Sequence, residues 1–432
     1  MELIEKILCE ENLQKAIRKV KKNKGAPGVD KMTVQEVEEW FNQYKEDLIS
    51  KILNKQYKPM PVKRVYIPKP NGKQRPLGIP TVVDRVIQQA MLQVLSEIYE
   101  PIFSDHSYGF RPNRSAHMAM EEVLGYLNDG YEWIVDLDIE KFFDTVNHDK
   151  LISILRERVN DSRTLHLIRA YLQAGILDNG LVRSSTIGTP QGGPISVILS
   201  NIYLDKFDKE LESRNLRFAR YADDCIIFVK SEMSANRVMK SVTSWLERKL
   251  FLKVSATKTK VVRPTKGQFL GFTFYKNKKV WKCTPTKDRK KRLYSNIQKW
   301  MERKHAASRP LSTTFKKLNQ MIRGWIQYFK IASIKGFLEE FGQWLRHKVR
   351  CIIIKQWKRP MTIYNNLMKL NKACRCNFTH EDIFKCANSR LGWYRRSTGN
   401  IVNFLLSPIV LGIEKGDRPG LVNPLIYYLE IL

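Results

Sequence analysis

A short acidic motif between two strand-forming segments is the feature that most constrains the fold of this chain. Asp223 and Asp224 follow Tyr221 and Ala222, and the flanking segments 216–220 and 225–229 have the composition of β-strands. Two such segments separated by a few turn residues predict a β-hairpin. We therefore expect the acidic pair at the tip of a hairpin.

The acidic pair has two interpretations. Adjacent carboxylates repel each other and need a compensating charge. Accessible oxygen ligands with open positions suit Mg²⁺ that is shared with substrate phosphates. A solvated Asp-Asp turn explains the same residues, and short motifs carry a real risk of false positives. The rest of the chain has to decide between a metal site and a solvated turn.

The charge of the chain indicates a polyanionic partner. The formal net charge is +32 over 432 residues, and the sequence pI is about 9.8. Such an excess of basic residues is typical of proteins that bind nucleic acid. The hydrophobic fraction of 43% and the aromatic fraction of 10% are those of a globular chain, which excludes a disordered basic tail. The length predicts two or three domains.

The sequence predicts a protein that stays inside its cell and binds no membrane. No apolar run reaches transmembrane length, and residues 1–6 lack the long apolar stretch of a signal peptide. Seven cysteines, an odd number, fit reduced thiols better than a disulfide framework. A Cys-x-Cys start is poor zinc spacing. We expect ordinary thiols, with metal binding left open, in the C-terminal cluster of Cys374, Cys376, His380 and Cys386.

The hydrophobic pattern divides the first 280 residues into two regions. Residues 1–60 are amphipathic and helical, interrupted by a glycine-proline loop at 24–30, and residues 61–280 mix strands and helices. The clearest strands are 65–68, 133–138 and the hairpin around Asp223. After the hairpin, Ser234 is the predicted N-cap of a helix. Its helically spaced residues are Val238, Val242, Trp245 and Lys249.

The segment that follows is strongly basic. Residues 258–304 hold 16 Lys and Arg but 2 acidic residues, and residues 305–360 hold 12 basic and 2 acidic residues. Periodic apolar and aromatic residues predict three helices over 289–358. A basic helical module with aromatic residues suits binding along a nucleic-acid backbone. The alternative, a solvated surface of an ordinary bundle, does not require so few acidic residues.

A third carboxylate has to come from a strand beside the hairpin. Asp138 ends the apolar strand 133–137, which is typical of a buried strand. Two metal ions bridged by aspartates of separate strands activate a 3′-hydroxyl and stabilise a pyrophosphate leaving group. We expect Asp138 and Asp223 to bridge them, with Asp224 as a minor ligand. Asp136 lies on the same face of the strand as Asp138, so its exclusion as a metal ligand rests on the motif alone.

The residues that follow Asp138 complete a family motif. The segment Asp138-Ile139-Glu140-Lys141-Phe142-Phe143-Asp144 resembles a reverse transcriptase. The resemblance implies that Phe143 packs under the incoming sugar and excludes a 2′-hydroxyl, although a core aromatic residue is the alternative. It also implies that Ile139 contacts metal and nucleotide, and that Lys258 protonates the departing pyrophosphate.

Further blocks narrow the resemblance to group II intron-encoded proteins. Residues 12–33 resemble their N-terminal extension, and residues 66–80 resemble their fingers hairpin, with Asn71-Gly72 as a tight turn. In that hairpin Lys69 and Arg75 would grip the triphosphate of the nucleotide. The alternative interpretation of Lys69 and Arg75 is two surface cations on a β-turn that bind no nucleotide.

Three more blocks imply contacts to template, primer and nucleotide. In residues 107–115, Arg111 and Arg114 would help to hold the template backbone. In residues 188–194, the resemblance implies that Gln191 contacts the nucleotide and Gly192 the template. Residues 269–272 resemble a primer grip whose Gly271 permits close approach.

Residues 323–329 resemble the thumb, or maturase-specific region, of intron-encoded proteins. The resemblance implies RNA, template or primer contacts for four residues of the helical module: Lys290, Arg292, Arg323 and Trp325. Two departures from the family pattern, Val197 in place of proline and Ser255 in place of asparagine, touch no proposed metal ligand. The short tail implies a DNA-binding remnant without a His-Asn-His endonuclease, as in the class C (group IIC) type.

The resulting prediction is an α+β right-hand polymerase with a helical thumb. The predicted domains are an N-terminal extension (1–60), fingers and palm with a ferredoxin-like antiparallel sheet (61–280), a thumb (281–365) and a small DNA-binding-like domain (366–432). The resemblance implies an RNA-directed DNA polymerase with two Mg²⁺ ions, for which Mn²⁺ can substitute.

The expected partners follow from the same resemblance. They are group II intron RNA, an RNA template with DNA primer, target DNA and dNTPs. We expect a monomer or homodimer in the bacterial cytoplasm, associated with the nucleoid when it acts on DNA. Two other roles stay open: a maturase that only supports splicing, and a group II-like enzyme of DNA repair or CRISPR spacer acquisition.

Overall fold

The computed structural model describes residues 2–68, 72, 74–178, 180–183, 187–189 and 192–432, except for the side chains of residues 303 and 304. The chain forms two compact units, Met1–Phe269 and Leu270–Leu432. The predicted division into four domains stays a prediction. The β-hairpin at residues 272–285, whose first strand was assigned to the palm, belongs to the second unit.

The first unit combines helices with two four-stranded sheets. Its helices are α1 (Leu3–Leu8), α2 (Glu10–Lys22), α3 (Val37–Leu53), α4 (Val82–Tyr99), α5 (Ala116–Asn128), α6 (Phe142–Thr145), α7 (His148–Arg156), α8 (Ser162–Gln173), α9 (Pro194–Ser213) and α10 (Glu232–Lys249). Its strands are β1 (Val62–Pro68), β2 (Gln74–Ile79), β3 (Trp133–Asp138), β4 (Ile176–Asp178), β5 (Leu181–Arg183), β6 (Arg217–Tyr221), β7 (Asp224–Val229), β8 (Lys260–Val262) and β9 (Gln268–Phe269), with a 3₁₀ turn at Pro264–Lys266.

The central sheet has the strand order β6-β7-β3-β8, and all its pairs are antiparallel. Residues of β7 from Cys225 to Val229 are buried, because the strand lies inside the sheet and both faces are covered. On β3, Val135 and Leu137 join the core that contains Val242 and Leu246 of α10. Alternation along a strand then places Asp136 and Asp138 on the opposite face from α10.

The second sheet has the order β2-β1-β4-β5. Its β1–β2 hairpin runs from Lys63 paired with Ile79 to Pro68 paired with Gln74. Gly72 adopts φ +78°, the left-handed region that suits a tight turn. Asn71 and Lys69, which were predicted in this turn region, lie outside the described residues.

The N-terminal helices pack on α4. Leu13, Ala16 and Ile17 of α2 are buried, as are most residues of α4. The glycine-proline loop at 24–30 is also fixed to α4, since Arg85 Nη2 donates a hydrogen bond of 2.7 Å to the Ala26 carbonyl. The predicted amphipathic helices of residues 1–60 are therefore part of the core of the first unit.

Helix α10 begins three residues earlier than predicted. Its N-cap is Ser231, whose side chain accepts a hydrogen bond from the backbone N–H of Ser234. Ser234 was the predicted cap, but it lies in the first turn. Both serines precede the apolar periodicity, so the pattern alone could not distinguish them.

The second unit is a β-hairpin followed by helices. The hairpin pairs β10 (Phe272–Asn277) with β11 (Val280–Pro285). Three of the helices are the long ones of the predicted module, and a short helix, α12, was not predicted. The helices are α11 (Lys287–Trp300), α12 (Arg303–Ala306), α13 (Leu311–Phe329), α14 (Lys335–Trp357), α15 (Pro360–Ala373), α16 (His380–Ala387), α17 (Trp393–Arg396), α18 (Asn400–Leu405), α19 (Pro408–Gly412) and α20 (Pro424–Glu430).

The apolar residues that predicted the helical module form its core. Leu318, Ile322, Phe329 and Phe341 are buried, and Trp325 packs on Phe329 at a ring distance of 4.7 Å. The predicted α+β class is confirmed: a mixed sheet-and-helix region is followed by a helical region. Within the described residues, no helix combines the length and apolarity needed to cross a bilayer.

Candidate active site

Strand register brings two of the predicted carboxylates together. Asp138, the last residue of β3, is paired directly with Asp224, the first residue of β7. Residues paired in this way have Cα atoms about 4.5–5.5 Å apart. Asp138 and Asp224 therefore lie side by side at one edge of the central sheet, although they are far apart in sequence.

The hairpin tip holds the third carboxylate. Tyr221 of β6 pairs with Asp224 of β7, so Ala222 and Asp223 form the two-residue turn between them. Ala222 has φ +59°, a conformation that few residues other than glycine adopt without cost. Such strain persists only where the surrounding structure fixes it.

A buried arginine fixes this turn from behind. The Arg220 side chain is 1% exposed and forms an ion pair with Asp208 of α9, whose side chain is fully buried. Its Nε donates to Asp208 Oδ1 at 2.7 Å, its Nη2 to Ser107 Oγ at 2.8 Å, and its Nη1 to the Ala222 carbonyl at 2.8 Å. A paired and fully hydrogen-bonded charge is the form in which a buried guanidinium is tolerated.

Gly109 lies against the backbone of the same turn. A Cβ atom at Gly109 would lie 2.2 Å from the backbone nitrogen of Ala222, so no other residue fits without a shift of the turn. The Gly109 carbonyl accepts a hydrogen bond of 2.9 Å from Asn201 Nδ2. The Asn201 Oδ1 in turn accepts from Arg220 Nη1 at 3.2 Å. The turn that carries Asp223 is thus enclosed by one network.

The segment 253–259 crosses the end of β3 and carries Lys258 to Asp138. The Ser255 N–H donates to the Asp138 carbonyl at 2.9 Å, and the Asp138 N–H donates to Thr259 Oγ1 at 3.2 Å. Lys258 Nζ lies 2.7 and 3.0 Å from the two oxygens of Asp138. The two predicted catalytic residues are therefore in direct contact.

The site carries an excess of negative charge. The pKa of Asp224 is raised to about 6 by the protein packed around it and by the like charges of Asp223, Asp138 and Asp136. The Asp224 side chain still reaches solvent. Burial also raises the pKa of Asp136, against the effect of Lys260 at 3.6 Å. Crowded carboxylates of this kind favour a divalent cation with oxygen ligands.

The donor set therefore fits Mg²⁺, but the side chains are not yet arranged as a coordination sphere. Among the described residues, no group of three or more His, Cys, Asp or Glu side chains converges on one point as a metal site. Ligation requires Lys258 to leave Asp138 and the carboxylates to turn toward a shared ion. The Ile139 side chain is a buried hydrocarbon without a donor atom, so only the backbone carbonyl of this residue could act as a ligand. In the antiparallel bridge between Ile139 and Val254 the flanking residues make the hydrogen bonds, so the Ile139 carbonyl points away from the Val254 segment and stays available.

Phe143 lies next to these carboxylates in sequence and is half-buried in α6, whereas Phe142 points into the core. The backbone of residues 188–189 runs beside it: the Thr189 N–H donates to the Phe143 carbonyl at 2.6 Å. A Cβ atom at Gly188, which has φ +89°, would lie 2.8 Å from that same carbonyl. Two separate predicted blocks, 138–144 and 188–194, therefore meet.

The fingers hairpin meets the second of these blocks. Gly192 approaches Gly78 so closely that a Cβ atom at position 192 would lie 2.3 Å from the Gly78 carbonyl oxygen. Arg75 is exposed on β2, opposite Ile67. Gln191 and Lys69, the other predicted nucleotide contacts, lie outside the described residues.

Arg111 and Arg114, the predicted template contacts, lie in two different environments. The Arg111 side chain is 4% exposed; its Nε donates to Glu100 at 2.9 Å, and its Nη1 to the carbonyls of Ser104 and Ser107. This placement supports a role in shaping the loop before Gly109, and the template contact of Arg111 stays a prediction. Arg114 forms a 2.6 Å ion pair with the exposed Asp105.

The predicted RNA contacts of the second unit lie on several of its elements. Gly271 precedes β10, with Arg289 of α11 beside it. Arg292 and Arg323 are exposed. Lys290 lies over the Phe337 ring at 5.2 Å, and burial lowers the pKa of its ammonium. Half-buried Trp325 lines a cavity of about 540 Å³ together with Arg289, Arg292 and Asn296.

The C-terminal cysteine and histidine cluster shows ordinary contacts. All seven cysteines are free thiols. The His380 Nδ1 lies 2.8 Å from the Tyr364 hydroxyl. Metal binding at Cys374, Cys376, His380 and Cys386 stays an open prediction.

Sequence reasoning missed the residues that hold the catalytic turn: Arg220, Asp208, Asn201 and Ser107. One signal was available. Arg220 stands in the strand-forming segment before Tyr221, at a position where a charge is buried and needs a carboxylate partner. The identity of that partner, 12 residues earlier on α9, is set by the tertiary fold.

Comparisons with known proteins identify two family matches in the chain. Residues 67–274 match the family model described as reverse transcriptase (RNA-dependent DNA polymerase), and residues 290–370 match that of the group II intron maturase-specific domain. Protein YkfC of Escherichia coli (strain K12) is 36% identical over 310 residues, which cover 62% of this chain and 81% of YkfC.

Group II intron-encoded protein LtrA of Lactococcus lactis subsp. cremoris is 39% identical over 206 residues, which cover 47% of this chain but 34% of LtrA. Among solved structures, a partial Cas6-RT-Cas1–Cas2 complex matches at 25% identity with a TM-score of 0.37, covering 57% of this chain and 43% of that chain. Both family models and the extent of the YkfC match lead to one assignment. The chain belongs to the group II intron reverse transcriptase/maturase family and contains an RNA-directed DNA polymerase domain.

Proposed function

We propose that this protein extends a DNA primer on an RNA template with dNTPs, using two Mg²⁺ ions, and that Mn²⁺ can replace them. The observation that carries the proposal is the strand register, which places Asp138 beside Asp224 and Asp223 in the adjoining turn at one end of the central sheet. A reverse transcriptase domain covers the same residues.

The proposed ligands are the three carboxylates and the backbone carbonyl of Ile139. When bound there, the ions would supply Lewis acidity to activate the primer 3′-hydroxyl and stabilise the pyrophosphate leaving group. Once displaced from Asp138, Lys258 is free to donate a proton to that leaving group.

The remaining residues of the site position the nucleotide. Half-buried Phe143, fixed between the core and the 188–189 backbone, would lie under the sugar and reject a 2′-hydroxyl. Exposed Arg75 would bind the triphosphate together with Lys69, and Gln191 would contact the nascent pair.

We further propose that the protein binds a group II intron RNA, promotes its splicing and copies it into DNA at a target site. The maturase-specific match over residues 290–370 supports an RNA partner for the second unit. Contacts to RNA, template and primer are proposed for Arg292, Arg323 and Trp325. We also propose the class C type, a location in the bacterial cytoplasm with access to the nucleoid, and a monomer or homodimer.

Primer extension tests the polymerase proposal. Wild-type protein with Mg²⁺ and dNTPs should extend a DNA primer on RNA, and Asp223→Ala should abolish synthesis because a bridging ligand is lost. RNA binding and splicing should be largely retained, since the RNA contacts proposed for the second unit are unchanged.

The matched control is Asp129→Ala, which removes an exposed aspartate at the end of α5. It should extend primers like the wild type. No extension by folded wild-type protein would refute the polymerase and favour a splicing-only maturase. Equal loss of splicing and synthesis in Asp223→Ala would show that the two functions are not separable.

A further inference from the structure

Helix α10 presents a basic groove that the proposed active site does not use. The groove has a volume of about 600 Å³. We call the cationic and aromatic residues that line it the α10 basic face: Arg214, Arg237, Lys240, Trp245, Arg248 and Lys249. Arg214 comes from the end of α9, and the others lie on α10.

The cations of this face are arranged along the helix. Arg237, Lys240, Ser244 and Arg248 are spaced three or four residues apart, so they follow one another along one side of α10. The distance from Arg237 to Arg248 along the helix axis is about 16 Å at 1.5 Å per residue. The acidic residues of α10, Glu232 and Glu247, do not line the groove.

These charges are not neutralised within the protein. Arg237, Lys240, Arg248 and Lys249 are exposed, and none has an ion pair with a carboxylate in the described part of the chain. Arg214 differs, since it is paired with Glu210 and donates from Nη1 to Ser241 Oγ at 3.1 Å. It holds the end of α9 against the groove.

The α10 basic face lies on the far side of the central sheet from the catalytic carboxylates. Val242 and Leu246 pack into the core with Val135 and Leu137, whereas Asp138 projects from the opposite face of β3. A helix with its side chains is about 10–12 Å across. A template and primer bound at Asp138 therefore cannot also contact the α10 basic face unless the nucleic acid extends around the unit.

We propose that the α10 basic face is a second RNA-binding surface, which contacts the phosphate backbone of a structured RNA while the opposite side of the sheet holds the template and primer. A row of unpaired cations of one sign complements a phosphate backbone. Trp245 packs on Phe207 at a ring distance of 6.1 Å and stays half-exposed, which gives the groove an apolar floor for sugars. The proposal rests on the proposed function in taking RNA as the polyanion.

A charge-removal variant tests this proposal. The combined variant Arg237→Gln, Lys240→Gln, Arg248→Gln and Lys249→Gln keeps side chains of good helix propensity on the surface. The probes are a structured transcript of the DNA that flanks this reading frame and a short RNA–DNA primer–template. We expect affinity for the transcript to fall by about tenfold or more and its log–log salt slope to decrease by roughly 3. Binding and extension of the short duplex should not change.

The matched control removes four cations of the same unit that already have carboxylate partners: Lys15→Gln, Lys51→Gln, Lys206→Gln and Lys209→Gln. It should change neither binding measurement. Unchanged transcript binding by the α10 variant would overturn the proposal in favour of an acidic protein partner. An equal loss on transcript and duplex, or an equal loss in the control, would also overturn it. Intact transcript binding by wild-type protein without primer extension would refute the polymerase alone.

Discussion

Asp205 on α9 is an ionisable residue whose state affects the stability of the first unit. Its Oδ1 accepts a hydrogen bond of 3.1 Å from the Ser104 N–H. Burial and the like charge of Asp208 raise the pKa of Asp205 to about 6, from 3.8 in a model compound. The folded protein therefore binds this proton more tightly than the unfolded chain does. The free energy of unfolding should fall as the pH rises from about 4 through 6.

The variant Asp205→Asn should remove this pH dependence, because the amide keeps an acceptor for Ser104 but carries no charge. We expect the variant to be more stable than the wild type above pH 6, with the difference in unfolding free energy growing by about 1–2 kcal/mol between pH 5 and pH 7.5. Urea unfolding at the two pH values measures it. Exposed Asp129→Asn is the control; a difference for Asp205→Asn that does not change with pH would contradict the assignment.

At the level of single residues, motifs identified positions in the sequence but did not show the surroundings of each side chain. Asp138, Asp223 and Lys258 were named from motifs, and the structure brings Lys258 onto Asp138. Arg111 belongs to a motif as well, yet its guanidinium is buried among carbonyls. A motif identifies a residue but does not show where its donors point, because that depends on residues contributed by other segments.

The β6–β7 hairpin is the element on which the proposed chemistry depends most. Its turn is fixed from behind by Arg220, which connects Asp208 on α9 to the carbonyl of Ala222. The same side chain therefore stabilises the core and sets the position of Asp223. These two roles can be separated experimentally, because removal of a complete buried ion pair is often neutral, whereas removal of one partner is not.

The double variant Arg220→Met with Asp208→Leu should fold with about wild-type stability, since no unpaired charge is left behind. It loses the hydrogen bond to Ala222, so the Mg²⁺ concentration for half-maximal primer extension should rise several-fold. A weaker Mg²⁺-dependent shift in melting temperature should accompany it. By comparison, Arg220→Met alone leaves Asp208 buried and unpaired and should cost about 3–5 kcal/mol in urea unfolding. Wild-type Mg²⁺ dependence in the double variant would contradict this positioning role.

Local elements and the hairpin could be predicted, but the register between strands that are distant in sequence could not. Apolar composition and turn residues predicted the strand at 133–138 and the hairpin at 216–229. The register of β3 against β7, which places Asp138 opposite Asp224, depends on a long-range contact that local patterns do not encode. The start of α10 at Glu232 could not be predicted from local pattern either, since Ser231 and Ser234 were both possible N-caps.

On the scale of the whole molecule, basic surfaces occur in both compact units. The first unit has the α10 basic face, and the second has exposed Arg292 and Arg323 among its helices. The sequence predicted the second of these from its excess of Lys and Arg. The sequence did not single out the α10 basic face, because the cations of α10 alternate with core residues along the chain. That these cations share one side of the helix is visible only once the helix is formed.

The two surfaces should differ in their effect on the short primer–template. Arg292→Gln combined with Arg323→Gln should weaken binding of the short primer–template by about tenfold at physiological salt, through lost phosphate contacts. Its extension rate at saturating duplex should be nearly unchanged. The α10 variant, in contrast, should bind the short duplex like the wild type, and fluorescence anisotropy with the transcript and the duplex measures the difference. An identical profile for the two variants would mean that the surfaces do not have separate ligands.

The pairing of β3 with β7 also determines when the catalytic centre can form. Asp138 and Asp224 are adjacent only after a strand has met a partner far along the chain, and Lys258 reaches Asp138 from a segment later still. Loop-closure entropy makes such non-local contacts slow to form. A nascent chain on the ribosome therefore cannot assemble the site until residues beyond Lys258 have emerged. The proposed catalytic centre therefore forms only after its last contributing segment, which carries Lys258, has been synthesised.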